Sequence, residues 1–348
     1  MIRRADSIRM ASNENPFGPS PKAVQAMEAA ITECNFYPDN DARELRQKLA
    51  AGFRVATDQV LVAAGLTSLL DIICRALLKP GQNAVTSQRS FIVYPIATKA
   101  AGGEIIEAPT KDDGFDLEAI AAAIAPGTRL VFLANPNNPT GTLFDAAALD
   151  RFVARVPEYV VVIVDEAYYE FAQYFAGQRK IQYSHSLDYV RAGRKVVVLR
   201  TFSKAHGLAG LRVGYGIGPA DLMADFSRLR TTFSVSVPAQ AAALAALDDD
   251  AHIQLALKNN ADGAESLVKE LSGLGYRASL TWANFVYCEV GEDAGAVAKR
   301  MQAEGVIIRA LGAWGAPLAI RVTIGTPEQN QRFLAAFKRV MERAPIRL

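Results

Sequence analysis

Cysteine and histidine are scarce: three of each in 348 residues. Cys34, Cys74 and Cys288 form no Cys-x-x-Cys pair, and His185, His206 and His252 lie scattered, so their spacing suggests neither a zinc cluster nor a disulfide framework. No run of about 18 uninterrupted apolar residues occurs, which argues against a membrane-spanning helix. No apolar stretch follows Arg3 and Arg4, so the amino terminus does not read as a signal peptide, and a cytoplasmic protein is expected. Neither sign of charge dominates: 38 Lys and Arg face 36 Asp and Glu, with no basic block interleaved with aromatics. Nucleic acid is therefore not the expected partner, while a small anionic ligand stays open. No internal repeat is visible, and the alanine-rich stretch Ala239 to Leu247 is helical in spacing.

What the chain does have is apolar material, half of its residues, and a length that suits two lobes. Short apolar runs bounded by turn residues read as buried parallel strands: QVLVAAG (59–65), NAVTS (83–87), RLVFLANP (129–136), YVVVIVDEA (159–167) and KVVVLRTFS (195–203). Segments of helical spacing lie between them, among them LTSLLDIICRALL and FDAAALDRFVARV. The alternation predicts an α/β domain with a mainly parallel sheet covered on both faces, over residues 30–245. Beyond it the order changes to helix, strand, helix, strand, helix. Residues 246–348, joined by 1–29, are expected to form a smaller α+β lobe.

In such sheets ligands sit at the carboxyl ends of the strands, and polar residues of different capacity gather there. Gly65-Leu66-Thr67 opens a helix, whose backbone N–H groups make an anion site. The NPNNPTG run (135–141) fixes its course with two prolines while Asn138 presents an amide. Asp165 ends a strand buried on both faces and so needs a cationic partner, either a structural arginine or lysine or the protonated ring nitrogen of a cofactor. Tyr168 could add a phenol donor. Lys204 follows Thr201-Phe202-Ser203 among small residues, which suits either a desolvated amine able to form a Schiff base or a lysine solvating a helix start. Arg212 offers a fork suited to phosphate, and glycines 207, 210 and 214 either admit a ligand closely or make turns. Phe91 and Tyr94 could stack on a flat cofactor or belong to the core.

Taken in order, NPNNPTG, DEAYYEF and TFSKAHGLAGLRVGYG resemble the fold-type I pyridoxal-phosphate aminotransferases, and SNENPFGPSP with IRVTIGTPEQN resembles their histidinol-phosphate aminotransferase branch. The resemblance spans nearly the whole chain. It implies that Lys204 holds pyridoxal phosphate covalently and moves the proton at the substrate Cα. It implies that Asp165 pairs with the ring nitrogen, Tyr168 and Asn138 donate to the ring hydroxyl, and Phe91 stacks on the ring. Thr201, Ser203, Arg212 and the backbone of Leu66 and Thr67 would bind its phosphate. Tyr37, in NFYPDN, would reach the cofactor phosphate of a partner subunit, which implies a homodimer. Arg321 would bind the amino-acid carboxylate, and Arg309 either the second anionic end of the substrate or solvent at a strand end. Asn284 is a further matching position.

The implied reaction passes an amino group between L-histidinol phosphate and 2-oxoglutarate, giving imidazole-acetol phosphate and L-glutamate, in histidine biosynthesis. An aromatic-amino-acid aminotransferase and a threonine-phosphate decarboxylase are the alternatives within the fold, and a binding module on a degenerate cofactor fold is the alternative outside catalysis. Three departures bear on substrate identity. Only Met1 to Ala11 precede SNENP, Leu66-Thr67-Ser68 stand where acidic residues are usual, and His206 stands where phenylalanine is common.

Overall fold

The computed structural model describes residues 7–342. Its larger sheet has seven strands: β1 Val60–Ala63, β2 Asn83–Ser87, β3 Glu104–Ala108, β4 Thr128–Ala134, β5 Val161–Asp165, β6 Val196–Thr201 and β7 Gly214–Ile217. Their order is β1-β7-β6-β5-β4-β2-β3. All five expected runs are strands. The apolar runs are continuous because alternate residues feed two different cores: Val162, Val164 and Val198 pack on one face, Ile163, Val197 and Leu199 on the other. Each such side chain removed from water contributes about 1.5–3 kcal/mol.

Two strands were not legible in the sequence. β3 is a half-exposed edge strand, and β7 lies inside the glycine-rich stretch. β7 runs antiparallel to both β1 and β6, with Gly214 opposite Ala63 and Thr201. The chain therefore arrives at the sheet rim just before β7, and that delivers Arg212 between the loops that follow β1 and β6.

The smaller lobe has a four-stranded antiparallel sheet ordered Arg277–Ala278, Phe285–Glu289, Ala319–Thr323, Arg309–Ala310. Helices Asp250–Gly273, Ala294–Ala303 and Pro327–Glu342 contribute to its core, which also takes in Met10. Ile8–Arg9 pairs in parallel with Val306–Ile307. The Ile8–Met10 segment thus packs with this lobe. Pro21–Ala30, however, packs on the Val237–Ala246 helix, and its Ala23 enters the core of the larger sheet. The division at 1–29 places this helix in the smaller lobe; by its packing it belongs with the larger one, since its apolar face has its partners there.

Gly207 does not make room for a ligand. Its φ is +71°, and a Cβ there would lie 2.1 Å from the carbonyl oxygen of Gly18. It lets the chain near Gly18 and Pro19 pass over the Lys204 turn. Gly207→Ala is expected to destabilise the protein by about 2–4 kcal/mol, combining the left-handed penalty with overpacking. Urea unfolding measures this; an unchanged midpoint would show that the crossing relaxes freely.

Candidate active site

One cavity of about 320 Å³ opens at the carboxyl rim of the sheet, against the smaller lobe. Of the residues the sequence singled out for cofactor and substrate, Leu66, Thr67, Phe91 and Asn138 line it, as do Asp165, Tyr168, Thr201 and Ser203. Lys204, Arg212, Arg309 and Arg321 complete that group. Tyr37 is not among them. It is 81% exposed and stacks on Phe233, with ring centroids 4.6 Å apart, so in one subunit it faces outward. His206 is also outside the lining: its ring lies 5.0 Å from Phe202 and its Nε2 is 3.7 Å from Glu170 Oε1.

The strand-end Asp-Glu pair separates two roles that the sequence left open. The structural ion pair belongs to Glu166, whose Oε2 accepts from Arg200 at 2.7 and 2.9 Å while Ser184 and Ser186 donate to Oε1 at 2.5 and 2.6 Å. Asp165 points the other way, into the cavity. It accepts from the Tyr94 hydroxyl at 2.8 Å and from the Ala167 N–H at 3.1 Å, and among the described residues it has no ion-pair partner. Burial pushes its carboxyl up to about 6, with the two donors opposing that rise. A cationic group placed in the cavity would stabilise the ionised form. Tyr94, fully buried, serves Asp165 rather than offering a free ring. Phe91 meets it edge-on at 5.6 Å and shares the cavity wall.

Lys204 donates from Nζ to the Ser12 carbonyl at 3.0 Å. Burial, reinforced by the charge of Arg321, opposed by Glu14 and reinforced again by Arg212, lowers its amine to about 7. At neutral pH such an amine is neutral in a substantial fraction, and the neutral form is the one that attacks a carbonyl or takes a proton.

The anion site lies beside it. Gly65 caps the Leu66–Leu77 helix with φ +81°, and a Cβ there would lie 2.5 Å from Arg212 Nη2. The arginine fork therefore rests against a helix amino terminus, and the two together attract an anion. The Thr201 hydroxyl is engaged within its own turn, donating to the Val213 carbonyl at 3.3 Å and accepting the Ser203 N–H at 3.1 Å.

On the opposite wall Arg309 and Arg321 are directly paired across adjacent antiparallel strands. Like charges in that register repel, and among the described residues neither has a carboxylate partner. Arg321, 5% exposed, gives Nη2 to the Ala11 carbonyl at 2.8 Å and Nη1 to Asn138 Oδ1. Its Nε is buried without a hydrogen-bond partner among the described residues. Arg309 reaches the same Ala11 carbonyl at 3.4 Å. Burial and the charge of Arg309 lower the Arg321 guanidinium to about 10. Two unneutralised cations on one wall suit a strongly anionic ligand.

Sequence reasoning missed Ser12, Asn13 and Trp314, which also line the cavity. SNENP was legible as a family mark, but nothing in its spacing says that it crosses over Lys204. Among the described residues no cluster of histidine, cysteine and carboxylates could hold a metal, and no helix is long and apolar enough to cross a membrane.

The pattern of the family "Aminotransferase class I and II" matches residues 5–337. The histidinol-phosphate aminotransferase of Moorella thermoacetica is 42% identical over 337 residues, covering 97% of this chain and 86% of that protein. Histidinol-phosphate aminotransferase 2 of Pseudomonas aeruginosa is 44% identical over 340 residues, covering 98% and 90%. The crystal structure of histidinol-phosphate aminotransferase from Sinorhizobium meliloti in complex with pyridoxal-5'-phosphate superposes with a TM-score of 0.90 at 29% identity, covering 97% of this chain and 91% of that one. With a cavity that joins a buried lysine of lowered basicity, a buried carboxylate and three arginines, the chain belongs to the class I and II aminotransferases, in the branch of the histidinol-phosphate aminotransferases.

Proposed function

We propose that the protein is a cytoplasmic, homodimeric, pyridoxal-phosphate-dependent aminotransferase that passes the amino group of L-histidinol phosphate to 2-oxoglutarate in histidine biosynthesis. The observation that carries this reading is Lys204, with its amine lowered to about 7, in one cavity with Asp165, which has no ion-pair partner among the described residues, and with Arg212, Arg309 and Arg321. These residues fit the cofactor. Asp165, which has no ion-pair partner among the described residues, suits a protonated ring nitrogen, and Arg212 against the helix start at Leu66 suits a phosphate.

Bound there, pyridoxal phosphate supplies an electron-withdrawing ring that acidifies the substrate Cα–H bond. Lys204 takes that proton and returns it. Asp165 keeps the proton on the ring nitrogen, and Tyr168 and Asn138 hold the ring hydroxyl. Phe91 covers the ring face. Arg212, Ser203 and the N–H groups of Leu66 and Thr67 hold the phosphate, and the Thr201 hydroxyl sets the turn beside it by accepting from the Ser203 N–H. Arg321 binds the carboxylate of glutamate, and Arg309 meets the second anionic end, a phosphate or a side-chain carboxylate. Tyr37 reaches the cofactor phosphate of the partner subunit, a reading that its exposure beside Phe233 supports. Sedimentation showing only monomers would overturn that last role.

A substrate panel tests the reaction. Amination of imidazole-acetol phosphate by glutamate, faster than that of aromatic keto acids, is the expected result. Preference for phenylalanine or tyrosine would replace it with an aromatic aminotransferase, and release of CO₂ without a keto product with a threonine-phosphate decarboxylase.

A further inference from the structure

Asn13 is 1% exposed, with a backbone φ of +58°. That left-handed conformation is one that asparagine and aspartate tolerate. Its hydrogen bonds fix the direction of its amide. The Asn13 backbone N–H donates to Thr323 Oγ1 at 2.9 Å, and the Thr323 hydroxyl donates in turn to Asn13 Oδ1 at 3.2 Å. Asn284 Nδ2 donates to the Asn13 carbonyl at 3.0 Å. With Oδ1 held by Thr323, Nδ2 faces Tyr168 and donates to its hydroxyl oxygen at 2.8 Å. A flipped amide would set a donor against Thr323 Oγ1 and leave the Thr323 proton without its acceptor.

The consequence falls on Tyr168. Its oxygen accepts from Asn13, so its own O–H must donate elsewhere, and among the described residues no acceptor for it is present. Burial raises the phenol above its usual value, which keeps that proton in place. We propose that Asn13 is a positioning residue for Tyr168: by donating to the phenol oxygen it directs the phenol proton into the cavity, toward the ring hydroxyl of bound pyridoxal phosphate. This rests on the cofactor reading above. Thr323 and Asn284 belong to the smaller lobe and Tyr168 to the larger, so the donor is set only where the two lobes meet over the Asn13 segment.

Asn13→Asp tests it. Aspartate keeps the backbone conformation and can accept from Thr323, but its carboxylate offers no donor, and the Tyr168 proton turns toward it. Asn13→Gly also keeps the backbone and removes the amide without supplying an acceptor, so Tyr168 can still point inward. The readout is the pH midpoint at which the visible absorption of the holoenzyme changes. A ring oxygen that loses a donor becomes more basic, so the midpoint rises. Asn13→Asp is expected to raise it by about one to two pH units, the effect of one charge-assisted hydrogen bond. Asn13→Gly should shift it by clearly less, and in a Tyr168→Phe background most of the aspartate effect should vanish.

A full Asn13→Asp shift that persists without the phenol would mean that the new charge acts directly, and would overturn the proposal. So would a glycine variant shifted as far as the aspartate one, which is the ranking that a purely structural role gives. A wild-type protein that takes up no pyridoxal phosphate would overturn the cofactor reading and this inference together, whereas a wild type that titrates normally beside an unshifted Asn13→Asp overturns this inference alone.

Discussion

Lys204→Ala is expected to lower transamination by roughly 10⁴-fold or more, because it removes both the covalent anchor and the group that moves the Cα proton. Steady-state turnover with glutamate and imidazole-acetol phosphate measures this, and full retention of activity would sink the assignment. The same residue carries a stability cost of opposite sign. In the unfolded chain the amine holds its proton up to about pH 10.5, in the folded apoprotein only up to about 7. Below about pH 7 the folded state carries the whole penalty of a buried ammonium. As pH rises from 7 toward 10.5 the penalty disappears, since the unfolded state must then give up its proton as well. Lys204→Met is therefore expected to be more stable than the wild-type apoprotein at pH 6, by a few kcal/mol, with the gap closing near pH 10. Urea unfolding at the two pH values checks the sign; a gap independent of pH would mean that the amine is not strained by burial.

The second large effect is expected at Arg321. Arg321→Ala should lower kcat/KM for glutamate by roughly 10²- to 10³-fold, mostly through KM, because the substrate carboxylate then enters the cavity without its partner. Asn138 and the Ala11 carbonyl would also lose a donor, so part of the loss should appear in kcat as the wall loosens. Arg321 helps to depress the Lys204 amine. Its removal should raise that amine toward the ordinary lysine value and move the pH dependence of cofactor uptake by the apoprotein upward. Initial rates over a range of glutamate concentrations, together with uptake followed from pH 6 to 9, separate the two effects. A variant with unchanged KM for glutamate would remove Arg321 from the substrate.

Local patterns determined much of this protein. Continuous valine and isoleucine runs can be buried on both faces only by a parallel sheet, and the residues that end those runs must then share one rim. That logic places Asp165, Lys204, Asn138 and the Leu66 helix start together without coordinates. Residue types carried their capacities as well: a lysine among small residues can be desolvated, and an arginine eight positions on offers a fork suited to a phosphate.

Only the tertiary structure decided how those capacities were assigned. Sequence alone left Asp165 open to a structural ion pair; the fold gives that pair to Glu166 and Arg200 and leaves Asp165 facing the cavity, because adjacent residues of a strand point to opposite faces. Gly207 was open to either a ligand approach or a turn, and its free face meets the backbone at Gly18, nearly two hundred residues earlier in the chain. The pairing of Arg309 with Arg321 depends on a strand register that no spacing of twelve residues could specify. Asn13 gains its role from Thr323, across 310 positions of sequence. Burial patterns and strand ends are properties of short stretches, and the sequence by itself determined them. Which donor meets which acceptor is a property of segments brought together from far apart, and that was settled only when the two lobes closed over the Lys204 turn.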